Sequence, residues 1–237
     1  ICVGKKLYES QKDEQTILRG KTRLITEETR EKIIGKAIEN KFELVIFDDG
    51  LQDKKIDYDL KFVCFDAQNW VGNGFLIPSG PLREKIDSLK KYDAVILKQI
   101  DKHKDEEEII NKIRKIDDKI KIFTSNYVPK NLKNFDLSKK YLIFSGIGNS
   151  NSFKEILIKY NFNIVDELIF PDHFHYNQKN LDTIMEKAKR YDAEIITTEK
   201  DFVKISKFNL TKISFLELNL QIINEEDFIT FVKSKIR

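Results

Sequence analysis

Cysteine is nearly absent from this 237-residue chain: there are two, Cys2 and Cys64, far apart. Neither has a second thiol at zinc-ligand spacing, which excludes a cysteine zinc site, and no disulfide framework is suggested. The simplest expectation is a reducing, cytosolic compartment. Long apolar runs are lacking too: none approaches the ~18 residues that a membrane-spanning helix needs, and no secretory-signal pattern is visible. Charge of one sign is not in excess, since 42 Lys and Arg face 39 Asp and Glu for a net charge of +3 and a pI near 8.6. That field is too weak to predict nucleic acid as a partner, but it is compatible with an anionic substrate or an acidic membrane surface. A phosphate-cradling loop is also missing. Gly20-Lys21-Thr22 has the ending of one, but the pattern needs a glycine five residues before Gly20 and finds Gln15. Gly72-Asn73-Gly74 is no substitute, because Phe75 follows where more loop and then a lysine would be required.

What is present is a soluble, globular composition, 41% apolar and 34% charged. Strand-like runs recur at Leu44–Phe47, Phe62–Phe65, Ala94–Leu97, Ile120–Thr124, Tyr141–Phe144, Ile195–Thr197 and Ile213–Leu216. Several are continuously apolar rather than alternating, which suits strands buried on both faces of a parallel sheet. The opening Ile1-Cys2-Val3-Gly4 reads as the tail of another strand. Helical spacing is found over Glu27–Asn40, Glu106–Ile116, Ser152–Tyr160 and Lys179–Tyr191, and Ser152-x-x-Glu155 has the form of a capping box. The alternation predicts an α/β fold. A polar stretch with Pro129, residues 125–138, separates an N-terminal unit (1–125) from a short linker and smaller C-terminal α/β unit (126–237).

Five segments could carry chemistry. Asp48 and Asp49 end an apolar strand, and the C-terminal end of a parallel strand is where α/β proteins bind ligands. Carboxylates there can hold Mg²⁺, with Gly50 turning the chain and Gln52 reaching back, although Asp-Gly also ends strands as a plain turn. Asn69–Lys85 gathers three of the 9 glycines and two of the 4 prolines into a shaped loop, whose Arg83 suits a phosphate or simply pairs with Glu84 in solvent. Phe170–Asn177 holds His173 and His175, and Asp172-His173 has the form of an oriented imidazole or of a histidine packed in a loop. Thr197–Lys204 begins a helix with a polar cluster that either caps it or acts in a site. The fifth segment, Gly20-Lys21-Thr22, is read as a chance match.

Taken together, DDGLQ, DAQNWVGNGFLIPSGPLRE, SGIGN, FPDHFHY and TTEKD, in this order, resemble the tetraacyldisaccharide 4′-kinase family, over nearly the whole chain from about Asp13. The resemblance implies a P-loop NTPase-like kinase domain with a parallel sheet, N-terminally incomplete here, joined to a second α/β domain. It implies ATP-dependent phosphorylation, with Mg²⁺, of the 4′-hydroxyl of an acylated glucosamine disaccharide 1-phosphate in lipid A biosynthesis. The implied setting is peripheral, at the cytoplasmic face of the Gram-negative inner membrane. The family's P-loop and a hydrophobic helix lie upstream of the motifs seen here, so the chain is expected to begin after them and, alone, to turn over ATP poorly. The competing expectation is a non-catalytic nucleotide- or lipid-binding remnant.

Residue by residue, Asp48 and Asp49 match the family's acidic pair, on the nucleotide and metal side with Gln52. Asp13 matches the aspartate of its Gly-Asp-Glu-Pro motif, implied to be the catalytic base, and His173 the histidine paired with it. Arg30 matches an upstream active-site arginine, and Arg83 and Glu84 the end of the substrate loop. Lys12 and Gln15 depart from the motif's Gly and Pro, Asp53 from the usual His after Gln52, and Ser150 from the usual Pro.

Overall fold

The computed structural model describes residues 1–8, 12–99, 103–208 and 210–236. Contacts group the chain into two compact units, each of two stretches: 1–56 with 129–218, and 57–128 with 219–237. One changeover, between Val128 and Pro129, falls inside the polar stretch 125–138. The other two are marked by no change in composition.

The first unit opens with β1 (Cys2–Lys6), α1 (Lys12–Lys21), β2 (Leu24–Glu27), α2 (Arg30–Glu39) and β3 (Val45–Phe47). The strands form a parallel sheet in the order β2-β1-β3. α2 starts at Thr29, whose hydroxyl accepts the Lys32 amide (3.3 Å), and buries Ile33 and Ala37. Gly4 lets this helix and β3 close on β1: a Cβ there would lie 2.8 Å from Ile33 and 2.9 Å from Phe47. In register, Gly4 pairs with Phe47, and the Asp48 amide donates to the Gly4 carbonyl (3.1 Å). The acidic turn therefore leaves β3 beside Lys5.

The chain then builds the second unit: β4 (Phe62–Asp66), β5 (Ala94–Lys98), α3 (His103–Ile116) and β6 (Lys121–Pro129). β4, β5 and β6 run parallel, and Ile109 and Ile113 of α3 pack on Val95 and Leu97.

Returning to the first unit, it adds β7 (Lys140–Ser145), α4 (Ser150–Lys159), β8 (Asn163–Ile169), α5 (Gln178–Tyr191), β9 (Glu194–Thr198), α6 (Glu199–Ile205) and β10 (Ile213–Leu216). The order is β10-β9-β7-β8, all parallel. The stretch Tyr141–Phe144 of β7 is apolar because both its faces are covered. Leu142 and Phe144 meet Leu181, Ile184 and Ala188 of α5, while Tyr141 and Ile143 meet Phe153 and Leu157 of α4. The last elements, β11 (Leu218–Ile222) and α7 (Glu225–Lys235), complete the second unit's sheet in the order β11-β6-β5-β4. Phe228 and Phe231 of α7 pack on Phe62 and Phe123.

The parallel α/β class is as expected. Ser152, expected at the helix start, lies inside α4. α4 starts earlier, capped by Asn149, whose side chain accepts the Ser152 amide at 3.1 Å. A capping box belongs to α5, where Asn177 and Asn180 exchange side-chain-to-amide bonds of 3.0 and 3.1 Å.

Candidate active site

The acidic turn is held from two sides. Asp49 takes a left-handed conformation (φ 54°), the region short polar side chains tolerate best after glycine. From the start of α2, Arg30 reaches under the turn: Nη2 donates to the Asp49 carbonyl (2.6 Å) and Nη1 to Asp53 Oδ2 (3.0 Å). The Arg30 guanidinium, joined by the Lys55 amide, holds the Asp53 carboxyl below its usual range. Arg30 is thus a buried brace for the turn, and Asp53 supplies the brace's partner. Asp48, Asp49 and Gln52 stand on the exposed side of the same turn.

Opposite Asp48, at the C-terminal end of the central strand, lies Lys5, which is 5% exposed. Its ammonium bridges Asp48 Oδ2 and Glu14 Oε2, the latter at 3.0 Å. The second oxygen of Glu14 accepts Lys200 Nζ from α6 (3.1 Å). Burial works against the charges on Lys5 and Glu14. It pushes the Lys5 amine down, but bonds to Asp48 and Glu14 outweigh it and the net shift is upward. It pushes Glu14 up, yet Lys5 and Lys200 bring the carboxyl below its ordinary value.

Asp13 precedes Glu14 in the first turn of α1. Its Oδ1 accepts the Glu14 amide (3.0 Å), while Oδ2 is buried without a hydrogen-bond partner. A buried acceptor without a donor is costly, and each such exception asks for an explanation. Gly20-Lys21-Thr22 falls at the other end of α1, where the helix presents carbonyls rather than amides. Lys21 is engaged with Glu199 (2.6 Å), so the triplet cradles no phosphate there.

The histidine segment follows β8. Phe170, Phe174 and Tyr176 pack against one another, and Phe170 and Tyr176 against Phe144. That cluster fixes the loop from inside and leaves His173 outside, at φ 58°, with Asp172 accepting its amide (2.9 Å) and lying 3.8 Å from Nε2. Beneath it, fully buried Asp201 accepts the Gly146 amide (2.9 Å) and the Thr198 hydroxyl (2.7 Å) and pairs with Lys204 (3.0 Å). Burial and this carboxylate push the Tyr176 phenol upward. A Cβ on Gly148 would lie 3.3 Å from Asp172, so the SGIGN turn and the histidine loop are neighbours. The TTEKD segment therefore splits: Thr198 caps α6, Asp201 ties two loops together, and Lys200 joins the acidic network. No hydrogen bond or ion pair joins His173 to Asp13, although both lie in the first unit.

Arg83 and Glu84 belong to the second unit. Their loop is shaped by Asn73, which accepts the Phe75 amide (3.1 Å) and donates to the Ser79 carbonyl (2.8 Å). Gly80 has no room for a side chain, since a Cβ would sit 2.3 Å from the Phe75 carbonyl. Phe75 and Ile77 project into solvent, and Arg83 is exposed. Glu84 accepts the Tyr92 hydroxyl (3.0 Å), and burial together with that carboxylate pushes the phenol up to about 12.

Among the described residues no group of three or more His, Cys, Asp or Glu side chains is gathered for a metal. Asp48 and Asp49 still fit Mg²⁺, which binds through one or two carboxylates and takes its remaining ligands from water and phosphate.

Parallel α/β units with acids at a strand's C-terminal end define the class of open-sheet proteins that hold ligands at that edge. A solved structure of LpxK from Aquifex aeolicus in complex with ATP has this fold, with a TM-score of 0.67 at 18% identity, covering 100% of this chain and 79% of that one. The family model for tetraacyldisaccharide-1-P 4′-kinase matches residues 8–237. A tetraacyldisaccharide 4′-kinase of Pelagibacter ubique is 42% identical over 229 residues, 95% of this chain and 71% of the relative. Those of Rickettsia akari and Rickettsia africae are 34% and 36% identical, and the chain covers 63% and 65% of their lengths. The chain belongs to the tetraacyldisaccharide-1-P 4′-kinase family.

Sequence reasoning did not single out Lys5 or Glu14, which the structure brings to the acidic turn, and left the Lys200 segment between a cap and a site. A signal for Lys5 existed: like Asp48, it is a charge at the end of an apolar run.

Proposed function

We propose that these residues serve ATP-dependent phosphorylation of the 4′-hydroxyl of a tetraacyl glucosamine disaccharide 1-phosphate. The observation that carries this reading is Asp13 Oδ2, a buried carboxylate oxygen without a donor, next to a strand end that fits Mg²⁺. A sugar hydroxyl brought to Oδ2 would supply the missing donor and, in the same hydrogen bond, give up its proton as the oxygen attacks phosphorus. Mg²⁺ on Asp48 and Asp49, with Gln52 beside them, would neutralise phosphate charge.

The remaining residues position the reactants, which is most of what phosphoryl transfer asks of a protein. Arg30 keeps the acidic turn in shape. His173, whose loop rests on an aromatic cluster, would orient or tune Asp13 once substrate is bound. Arg83 would hold the lipid's phosphate, and Glu84 anchors the end of that loop through Tyr92. We place the reaction at the cytoplasmic face of the Gram-negative inner membrane, because an acylated disaccharide resides in lipid and ATP in the cytosol. The expected product is the lipid carrying one additional phosphate at the 4′ position after incubation with ATP and Mg²⁺. Mass spectrometry of the lipid in the full-length protein tests this, and an unchanged lipid mass overturns it.

A further inference from the structure

We infer that Lys5 is a positioning residue of this site, an internal cation that ties the metal-side carboxylate Asp48 to the helix start that carries Asp13. The inference rests on the reading above.

Three observations carry it. Lys5 is buried, and lysine is almost never buried without partners that justify it. Its single nitrogen contacts two carboxylates from different elements, Asp48 after β3 and Glu14 in α1, so it fixes one relative to the other. Glu14 is in turn held through its second oxygen by Lys200 from α6. The result is a chain of alternating charge, Asp48–Lys5–Glu14–Lys200, that runs from the acidic turn to the TTEKD segment. Asp13 is the next residue to the middle carboxylate, and Glu14's amide bonds its Oδ1. Any shift of Glu14 is transmitted to Asp13 through that bond.

Charge also matters. Asp48 and Glu14 share one ammonium, and without it two carboxylates would face each other. Lys5 thus lowers the negative field at Asp48 while holding the carboxylate in place. It acts through Asp48 and Glu14.

The test uses Lys5→Met, which keeps length and removes the charge, and Lys5→Arg, which restores it. Two readouts are compared, Mn²⁺ affinity by paramagnetic resonance and steady-state turnover of ATP with the disaccharide lipid. Losing one positive charge a few ångströms from Asp48 should tighten Mn²⁺ binding about 10-fold. Turnover should move the other way, with kcat falling about 10²-fold and KM for ATP unchanged, because the groups are no longer aligned. Lys5→Arg should reverse both effects. General structural damage would weaken metal binding and turnover together.

Mn²⁺ affinity that is unchanged or weaker in folded Lys5→Met overturns the inference, as does unchanged turnover. Should that variant not fold, Glu14→Gln decides. It leaves the Lys5–Asp48 pair and should lower kcat without tightening Mn²⁺ binding; unaltered kcat overturns the inference. Failure of the kinase reading looks different: no variant, nor the parent, would phosphorylate the lipid, while the metal-affinity change in Lys5→Met would persist.

Discussion

Individual side chains here divide into those whose role shows in the sequence and those whose role depends on burial. Asp48 and Asp49 announce themselves as acids at the end of an apolar run. Asp13 does not: nothing in KDEQ says that one oxygen is buried and unpartnered, and the residue is picked out only by resemblance. Arg30, singled out as matching an active-site arginine, braces the acidic turn, with Asp53 as its partner. Arg30→Met removes two charge-assisted bonds and should cost about 1–3 kcal/mol in urea unfolding. Asp53→His, which puts the family's usual residue at that position, should lower stability in the same assay.

Glu14 gives a pH test. Its folded pKa is depressed below the ordinary value of 4.5, with Lys5 and Lys200 outweighing burial. An unfolded Glu14 therefore holds its proton more readily than the folded one, and the stabilisation is complete above pH 4.5 and disappears as pH falls through the lower folded pKa. Urea midpoints of the protein and of Glu14→Gln should differ at pH 7 and converge in the acid range. A constant difference would show that the ion pairs do not provide the stabilisation.

Elements were legible where one physical signal dominated. β7 and β9 read as strands because both faces are covered and polar alternation is absent. β8 was missed because Asp166 and Glu167 interrupt its apolar pattern; they are satisfied by Lys187 (2.8 Å) and Lys154 (2.6 Å), partners that only the fold supplies. α1 was missed because KDEQTILRGK is polar; its place is set by ion pairs and by packing on α6. The α4 start was misplaced since Asn149 and Ser152 are both good caps, and packing of Phe153 and Leu157 favours the longer helix. Asn149→Ala should therefore lower stability by about 1 kcal/mol. Gly4→Val should be destabilising by about 1–3 kcal/mol, since the added side chain meets Ile33 and Phe47. Thermal unfolding of the purified variants checks both.

At the scale of the molecule, the alternation of strands and helices made the α/β class readable, and the polar stretch near Pro129 marked one changeover between units. The changeovers at 56/57 and 218/219 were invisible, because a chain that crosses between units in mid-run leaves no change in composition. Motif order carried more than any single motif. DDGLQ could be a turn and DHFH a packed loop, yet their sequence with GPLRE and TTEKD matches one family. We propose the acidic turn and Asp13 for chemistry; Arg30 and Lys5 hold that turn, and Asp201 joins the SGIGN turn to the start of α6. The central claim is that Asp13 takes the proton of the lipid's 4′-hydroxyl. It is tested most directly by following phosphate transfer from ATP to the disaccharide lipid in the full-length protein and in Asp13→Asn. The account predicts a kcat lower by about 10²-fold or more, with stability retained, because the lost charge had no partner at Oδ2. Near-normal transfer by Asp13→Asn would contradict it.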